Sequence, residues 1–249
     1  MVLYSLVVWL AARWLCPRLS ASGRMLLLER FASRTLGILG VRVTTRGRRP
    51  HREGPCLIVA NHVSWLDIYV LNALGGARYV AKSDVAGWPL AGAIARGFET
   101  LFIVRGSLRD ARRVKDEVAA AFRQGHRVVV FPEGTTTAGA SVGRFYAALF
   151  QAAVDTRTPV QPAALRYRTP DGRRDEAAAF VGDMTFLESL RNVLRRPSLT
   201  AEVTWGPLVL PHGLDRRDLV EITHRFVQLA LGGDRPDRSA GPSALRQAA

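Results

Sequence analysis

The segment from residue 57 to residue 67, LIVANHVSWLD, decides how the rest of the chain is interpreted. Its apolar first half is typical of a buried strand, which a polar Asn61-His62 pair ends. An apolar helical pattern then begins near Asp67. A strand, a tight turn and a helix that meet in this way are typical of α/β proteins, which place binding and catalytic groups at such junctions.

The five-residue spacing of His62 and Asp67 limits how these side chains can meet. Positions five apart on a helix lie about 140° apart around its axis, so the pair requires His62 in the turn and Asp67 in the first helical turn. Ser64 fits as the helix N-cap, which would place Asp67 at the third helical position. A carboxylate there accepts an imidazole N–H and leaves the other ring nitrogen as a proton acceptor.

A purely structural interpretation of the same residues stays open. Ser64-Trp65-Leu66-Asp67 is itself a capping-box pattern, which needs no further function. Ser107-Leu108-Arg109-Asp110 repeats that pattern with no histidine nearby. On these residues alone, helix capping and catalysis are both consistent with the sequence.

Periodicity along the chain predicts an α/β fold with a layered sheet flanked by helices. We predict helices over residues 2–15, 20–39, 64–74, 88–95, 107–124, 145–154, 183–194 and 215–231, and strands over 41–45, 55–60, 78–81, 100–104, 127–131, 159–167 and 199–210. These elements predict three parts: a two-helix element over 1–40, an α/β domain over 41–231 and a flexible tail over 232–249, which is rich in Gly, Pro, Arg and Ser.

Charge and hydrophobicity coincide in the N-terminal part. The chain carries a net charge of +14, and residues 1–52 contain ten arginines against one acidic residue, Glu29. Basic helices with apolar faces favour an anionic membrane surface over nucleic acid as the partner. The apolar run over residues 1–12 is shorter than the roughly 20 residues of a membrane-spanning helix. We therefore predict a membrane-docking hairpin; a secretory signal and an ordinary core helix are the competing interpretations.

Other polar residues follow predicted strands. Lys82, Arg105 and Glu133 each stand at the end of a strand, and parallel strands collect such residues at one sheet edge. The Thr-rich loop after Glu133 offers backbone N–H groups to an anion, yet it matches neither a Walker loop nor the G-x-S-x-G elbow of hydrolases. The competing interpretations are a connecting loop and solvated surface cations. Cys16 and Cys56 predict no disulfide.

Four motifs resemble, in order and spacing, the blocks of the glycerolipid acyltransferase family, best known for 1-acylglycerol-3-phosphate acyltransferases. They are the H-x-x-x-x-D motif with its preceding asparagine (61–67), FIVR (102–105), FPEGT (131–135) and TPVQP (158–162). The later GDMT stretch (182–185) is similar to bacterial members, including those that acylate lyso-ornithine lipid.

The resemblance implies a role for each matching residue. His62 would deprotonate the acceptor hydroxyl that attacks an acyl thioester, and Asp67 would orient His62. Arg105 would bind the acceptor phosphate. The full set of implied substrate-binding residues is Asn61, Lys82, Arg105, Glu133, Gly134 and Thr135. Many family members have arginine where this chain has Thr136, and this departure leaves room for an acceptor without phosphate.

The predicted function is transfer of an acyl group from acyl-CoA or acyl-acyl carrier protein to 1-acylglycerol-3-phosphate, giving phosphatidic acid in phospholipid biosynthesis. The alternative acceptor is lyso-ornithine lipid or another lysolipid. No other cofactor and no metal are predicted, and the expected location is the cytoplasmic face of the inner membrane. Two other classes are the competing interpretations: a lipid hydrolase with Ser64 as nucleophile, and a basic, non-enzymatic membrane- or nucleic-acid-binding protein.

Overall fold

The structure is a computed structural model that describes residues 14, 18–50, 54–88, 92, 95–96, 99–104 and 106–232. The seven strands within these residues are β1 (Val41–Arg46), β2 (Cys56–Ala60), β3 (Arg78–Lys82), β4 (Leu101–Ile103), β5 (Arg127–Val130), β6 (Val160–Arg168) and β7 (Leu199–Trp205). The six α-helices are α1 (Ala21–Ile38), α2 (Leu66–Ala73), α3 (Leu108–Arg123), α4 (Phe150–Thr156), α5 (Phe186–Leu194) and α6 (Arg216–Gly232). Short 3₁₀ turns cover Ser83–Gly87 and Glu176–Ala178.

The strands form one sheet in the order β1-β7-β6-β2-β5-β3-β4. Neighbouring strands are parallel except at β6 and β7, which pair antiparallel. β1 and β7 therefore run opposite to the other five strands. The predicted α/β class and layered sheet are confirmed, and the sheet is mixed because β7 pairs antiparallel with β6.

Two hydrophobic cores lie on opposite faces of the sheet, because successive side chains of a strand point to opposite faces. In β2, Ile58 contributes to the first core, whereas Leu57 and Val59 contribute to the second. Helices α1, α2 and α5 pack on the first core. Helices α3, α4 and α6 pack on the second. Coverage on both faces explains why every residue of β2 is buried and apolar.

Local capping fixes several helix ends where the sequence predicts them. The Ser20 hydroxyl accepts the Gly23 N–H at the start of α1 (3.2 Å). Gly40, just beyond the end of α1, takes the left-handed φ of +71° that favours glycine after a helix. At α3, the Ser107 hydroxyl accepts the Asp110 N–H (3.1 Å). These contacts give the helices unambiguous ends without tertiary information.

Three predicted boundaries are wrong, each for a local reason. Helix α4 begins at Phe150 and not at residue 145, because buried Phe145 packs its ring against His224. Helix α5 begins at Phe186, after a capping box between Thr185 and Glu188. Strand β7 ends at Trp205, because Gly206 approaches the Pro162 ring too closely for any side chain and Pro207 follows it.

The N-terminal and C-terminal predictions are only partly visible in this structure. Helix α1 corresponds to the second helix of the predicted hairpin, while the first helix (2–15), except for residue 14, and the tail from 233 onward lie outside the described residues. The helix predicted over 88–95 also lies mostly outside them, and the proposed domain limits stay predictions. Among the described residues, no helix combines the length and the hydrophobicity of a membrane-spanning segment.

Candidate active site

The site is formed where two adjacent parallel strands end. β2 and β5 pair in register, with Ile58 opposite Val129 and Val59 opposite Val130. Their chains therefore leave the sheet at the same edge, and the segment after each strand meets the other. His62 follows β2, Glu133 follows β5, and the two are in direct contact.

Asp67 is fully buried, and its carboxylate accepts hydrogen bonds from the segment that follows β2. Its Oδ2 accepts hydrogen bonds from His62 Nδ1 (2.8 Å) and from the backbone N–H groups of Val63 (2.7 Å) and Ser64 (2.9 Å). Its Oδ1 accepts one from the Tyr167 hydroxyl (2.6 Å). Four donors satisfy the carboxylate, which is what an ionised group needs in order to remain buried.

The predicted cap is displaced by one residue. Helix α2 begins at Leu66 with Trp65 as its N-cap, so Asp67 occupies the second helical position and Ser64 is not the N-cap. The Ser64 hydroxyl still accepts the Leu66 N–H (3.3 Å) while Asp67 reaches back to the Ser64 N–H. The essential prediction, His62 in the turn and Asp67 in the first helical turn, is confirmed.

The hydrogen bond to Asp67 determines which tautomer the neutral His62 ring adopts. Asp67 Oδ2 can only accept, so Nδ1 carries the proton and the neutral imidazole presents Nε2 as an acceptor. The ring stacks on Phe131, with centroids 4.0 Å apart and planes 10° apart. The side chain is 17% exposed, and no described residue forms a hydrogen bond with Nε2. This histidine can accept a proton from a molecule that arrives from outside.

Glu133 fixes the backbone of His62 from the opposite side. Its Oε1 accepts the His62 N–H (2.8 Å), and its Oε2 accepts the Gly143 N–H (2.6 Å). Burial raises the pKa of Glu133, while these two N–H donors act to lower it. A side chain at Gly143 would lie 3.0 Å from Oε2. Glu133 thus links the segment after β2, at His62, to the loop that contains Gly143.

The Thr-rich loop completes this clamp. The Thr137 N–H donates to the His62 carbonyl (2.8 Å), so the loop holds both polar groups of the His62 peptide backbone. The Thr136 hydroxyl donates to the Phe180 carbonyl, which secures the loop to the segment before α5. Gly134 adopts a left-handed φ of +69° beside the Tyr146 ring. Thr135 is exposed at the tip.

The remaining sequence candidates have different outcomes. Asn61 is fully buried, and its amide both donates to and accepts from the Leu165 backbone (3.0 and 2.7 Å), so it joins β2 to β6. Lys82 ends β3, two strands or about 10 Å from β2, and forms an ion pair with Asp84. Arg105 lies outside the described residues. The substrate-binding roles of Lys82 and Arg105 stay predictions.

Two side chains are excluded as nucleophiles by their environment. Ser64 is fully buried with its hydroxyl committed to α2, so the hydrolase hypothesis built on it is wrong. Cys56 is a free, buried cysteine, and burial raises its pKa to about 12, which keeps it a thiol at neutral pH.

Comparisons with known proteins agree with this geometry. The acyltransferase family model matches residues 41–166. A lyso-ornithine lipid O-acyltransferase from Pseudomonas aeruginosa is 36% identical over 245 residues, which cover 98% of this chain and 92% of the relative. A 1-acyl-sn-glycerol-3-phosphate acyltransferase from Neisseria gonorrhoeae is 35% identical over 157 residues, 62% of this chain and 61% of the relative.

The chain belongs to the acyltransferase family. In the crystal structure of the acyltransferase PlsC from Thermotoga maritima, the fold is the same, with a TM-score of 0.66 over 93% of this chain and 94% of that chain. The identity to PlsC is 19%, so this likeness supports the fold. The non-enzymatic interpretation of the basic surface is set aside, because family membership makes this protein an enzyme.

Sequence analysis of this acyltransferase missed Tyr167, which donates to Asp67 from strand β6. Burial and then the negative charge of Asp67 raise the pKa of Tyr167 well above its usual range, so the hydroxyl stays protonated as a donor. Ala60 pairs with Ala163, and Tyr167 follows four residues later in β6. The alternation of Ala163, Leu165 and Tyr167 toward one core is visible in the sequence, but the register that brings Tyr167 to Asp67 is not.

Proposed function

We propose that this acyltransferase transfers a fatty acyl group from an acyl thioester to the free hydroxyl of a lysolipid, with lyso-ornithine lipid as its acceptor. The observation that supports the chemistry best is the arrangement of His62: Nδ1 bonds buried Asp67, while Nε2 has no partner among the described residues and belongs to a side chain that is 17% exposed. A histidine held in this way is suited to general base catalysis.

In the proposed reaction, Nε2 of His62 takes the proton from the lysolipid hydroxyl as its oxygen attacks the thioester carbonyl carbon. A C–O bond forms, the C–S bond breaks, and the proton passes from Nε2 to the leaving sulfur. The charge that develops on the imidazole is balanced by the Asp67 carboxylate. No acyl-enzyme forms, which is consistent with the buried state of Ser64 and Cys56.

Tyr167→Phe tests whether the Tyr167 hydroxyl positions Asp67 for this reaction. Loss of its hydrogen bond should lower kcat roughly tenfold, the rate equivalent of about 1.4 kcal/mol. Tyr79→Phe is a matched control, because buried Tyr79 also donates one hydroxyl hydrogen bond, to the Ile68 carbonyl (3.1 Å) and not to the Asp67 carboxylate. Both variants should lose similar thermal stability, and equal kcat values in both would contradict a positioning role for Tyr167.

Two observations favour lyso-ornithine lipid as the acceptor. The relative that matches nearly the whole chain is named for that acceptor, as are relatives from Rhodobacter capsulatus, Rhizobium meliloti and Brucella abortus. In addition, Thr136 stands where many family members carry arginine, and its hydroxyl is committed to the Phe180 carbonyl. This position therefore supplies no cation to bind a phosphate group. An ornithine head group has no phosphate and does not need such a cation.

The second candidate acceptor is 1-acylglycerol-3-phosphate, which the sequence motifs placed first. Arg105 within its FIVR motif favours this acceptor, as do the relatives from Neisseria gonorrhoeae and Neisseria meningitidis at 35% identity. Those matches cover 62% of this chain, against 98% for the relative from Pseudomonas aeruginosa. Phosphatidic acid synthesis and a role in phospholipid biosynthesis therefore rank second.

The donor and the location are also part of the proposal. The donor is an acyl thioester of coenzyme A or of acyl carrier protein, and no resident cofactor or metal is required. The enzyme works at the cytoplasmic face of the inner membrane, held by its basic, apolar N-terminal part. The nine net positive charges of residues 1–52 support an anionic lipid surface as the partner.

The experiment that tests this proposal is an assay of the purified full-length chain with one acyl thioester and a panel of lysolipid acceptors, followed by mass spectrometry. We expect the highest kcat/KM with lyso-ornithine lipid. A higher kcat/KM with 1-acylglycerol-3-phosphate would overturn the choice of acceptor. If no acceptor of the panel is acylated, and the result is the same when the assay is repeated with the other thioester (acyl-CoA or acyl-acyl carrier protein), the proposed function is overturned.

A further inference from the structure

Helix α5 exposes an apolar stripe beside its buried side. Ser189 and Val193 are buried, and Val193 packs in the first core. Phe186, Leu187 and Leu194 are exposed by 43%, 73% and 51%. Leu187 and Leu194 are seven residues apart, so they lie on the same side of the helix two turns from each other. Phe186 lies about 80–100° around the helix from the two leucines, so the three exposed apolar side chains occupy one half of the helix surface.

Arginines border this stripe. Arg191 and Arg195 are exposed on the same helix or at its end, on the flank next to Leu187 and Leu194. Glu188, the acidic residue within α5, is engaged with Thr185 in the capping box. Apolar residues with arginines along one side are the pattern of a helix that lies in the interface of an anionic bilayer.

The stripe is linked to the active site by an aromatic chain. Phe186 packs on Trp65 (ring centroids 5.0 Å apart), and the Trp65 indole N–H donates to Ser189 (3.0 Å). Trp65 also contacts Tyr69, which packs on Phe31 of α1 (both centroid distances 5.8 Å). Trp65 stands between His62 and Asp67 in sequence, so α5 is in direct contact with the segment that carries both residues.

These aromatic contacts place α5 on the face of the sheet that carries basic helix α1. Helix α1 exposes Leu26 and Ile38 together with Arg30 and Arg34. Helices α1 and α5 thus both present leucine or isoleucine next to arginine on one side of the molecule. Helix α6, on the opposite face, exposes Leu229 by 68%, which provides a matched reference position.

We propose that the exposed surface of α5, defined by Phe186, Leu187, Arg191, Leu194 and Arg195, is a second membrane-contact surface that sits on an anionic phospholipid bilayer next to the active site. Together with α1, it orients the active-site segment toward the lipid, so that a lysolipid reaches His62 without leaving the interface. This inference deepens the proposed function and rests on its lipid acceptor, but membrane contact can be measured without turnover.

The test measures binding of the full-length protein to vesicles of equal parts phosphatidylglycerol and phosphatidylcholine by co-sedimentation. We expect the Leu187→Gln/Leu194→Gln double variant to bind about tenfold more weakly, because exposed apolar surface no longer enters the bilayer. Leu229→Gln should bind like the unaltered protein. Arg191→Gln/Arg195→Gln should lose about tenfold on these vesicles and little on phosphatidylcholine alone, whereas Arg216→Gln/Arg217→Gln on α6 should lose much less.

Activity measurements distinguish a loss of membrane contact from damage to the active site. With the acceptor in detergent micelles, both α5 double variants should keep the kcat of the unaltered protein, while KM should rise when the acceptor is in vesicles. Unchanged vesicle binding by both double variants would overturn the proposal, as would an equal loss by the α6 controls. If the α5 double variants bind vesicles normally but show a higher KM for acyl carrier protein, or lose a dimer that the unaltered protein forms, the α5 surface binds a protein partner. Either result would also overturn the proposal.

Discussion

Replacing His62 with alanine is expected to lower kcat for acyl transfer about 10³-fold, because the variant lacks the group that takes the acceptor proton. The loss should appear in kcat at saturating acceptor and thioester. Binding of either substrate should change little, since the imidazole acts on the proton in the transition state. Steady-state kinetics with the best acceptor of the panel measure both quantities.

His126→Ala is the matched control for this prediction. His126 is also half-buried and hydrogen-bonds a charged side chain, Arg78 (2.9 Å), but it lies before β5 and therefore at the opposite sheet edge. Its kcat should stay near that of the unaltered enzyme. If His62→Ala retained more than about a tenth of the activity, a contribution of the size expected for general base catalysis would be absent.

Replacing Asp67 with asparagine is expected to lower kcat about 100-fold while the protein stays folded. The two backbone donors, Val63 and Ser64, both point at the Oδ2 position, so the asparagine oxygen takes that place and its NH₂ group faces Tyr167. His62 Nδ1 then still donates to an oxygen. What disappears is the negative charge that balances the imidazolium in the transition state.

Asp67→Ala separates this electrostatic role from the structural one. Alanine leaves the buried N–H groups of Val63 and Ser64 and the Tyr167 hydroxyl without their acceptor, so we expect a loss of about 3–5 kcal/mol in the free energy of unfolding. Thermal unfolding followed by circular dichroism compares the two variants. A stability loss for Asp67→Asn as large as for Asp67→Ala would refute the predicted orientation of the asparagine amide.

Much of the fold follows from local patterns. The run from Leu57 to Ala60 predicts a buried strand because it is apolar throughout, and the polar Asn61-His62 pair marks where this apolar run ends. Ser20, Ser107 and Gly40 mark helix ends through side-chain caps and a left-handed backbone. These features depend on neighbours in sequence, and a sequence contains that information.

Features that depend on distant partners could not be predicted in the same way. The reversed direction of β7 follows from its antiparallel pairing with β6, and Phe145 leaves its predicted helix to pack on His224. The cap moves from Ser64 to Trp65 while the Asp67 carboxylate bonds the N–H groups of Val63 and Ser64. In each case the partner that decides the outcome is set by the tertiary structure.

The site residues show the same difference between local sequence patterns and tertiary contacts. His62 and Asp67 form a pair that spacing alone allows, whereas Tyr167 enters through the register of β6 against β2. The family resemblance implied a substrate-binding role for Asn61, and the structure adds that its amide bonds the Leu165 backbone of β6. Glu133 proved to bond the His62 backbone directly. Sequence spacing therefore predicted the His62–Asp67 contact, and the structure identified the residues that hold it; the catalytic role of the pair stays a prediction.

The protonation state of the two His62 ring nitrogens is the most direct test of a general base at this site. In ¹⁵N NMR of histidine-labelled protein, the signals of His62 are those missing from the His62→Ala spectrum, since the chain has five histidines. The structure predicts that near neutral pH the neutral ring carries its proton on Nδ1 and none on Nε2. A neutral His62 with its proton on Nε2 and a bare Nδ1 would contradict the hydrogen bond to Asp67 and the proposed base.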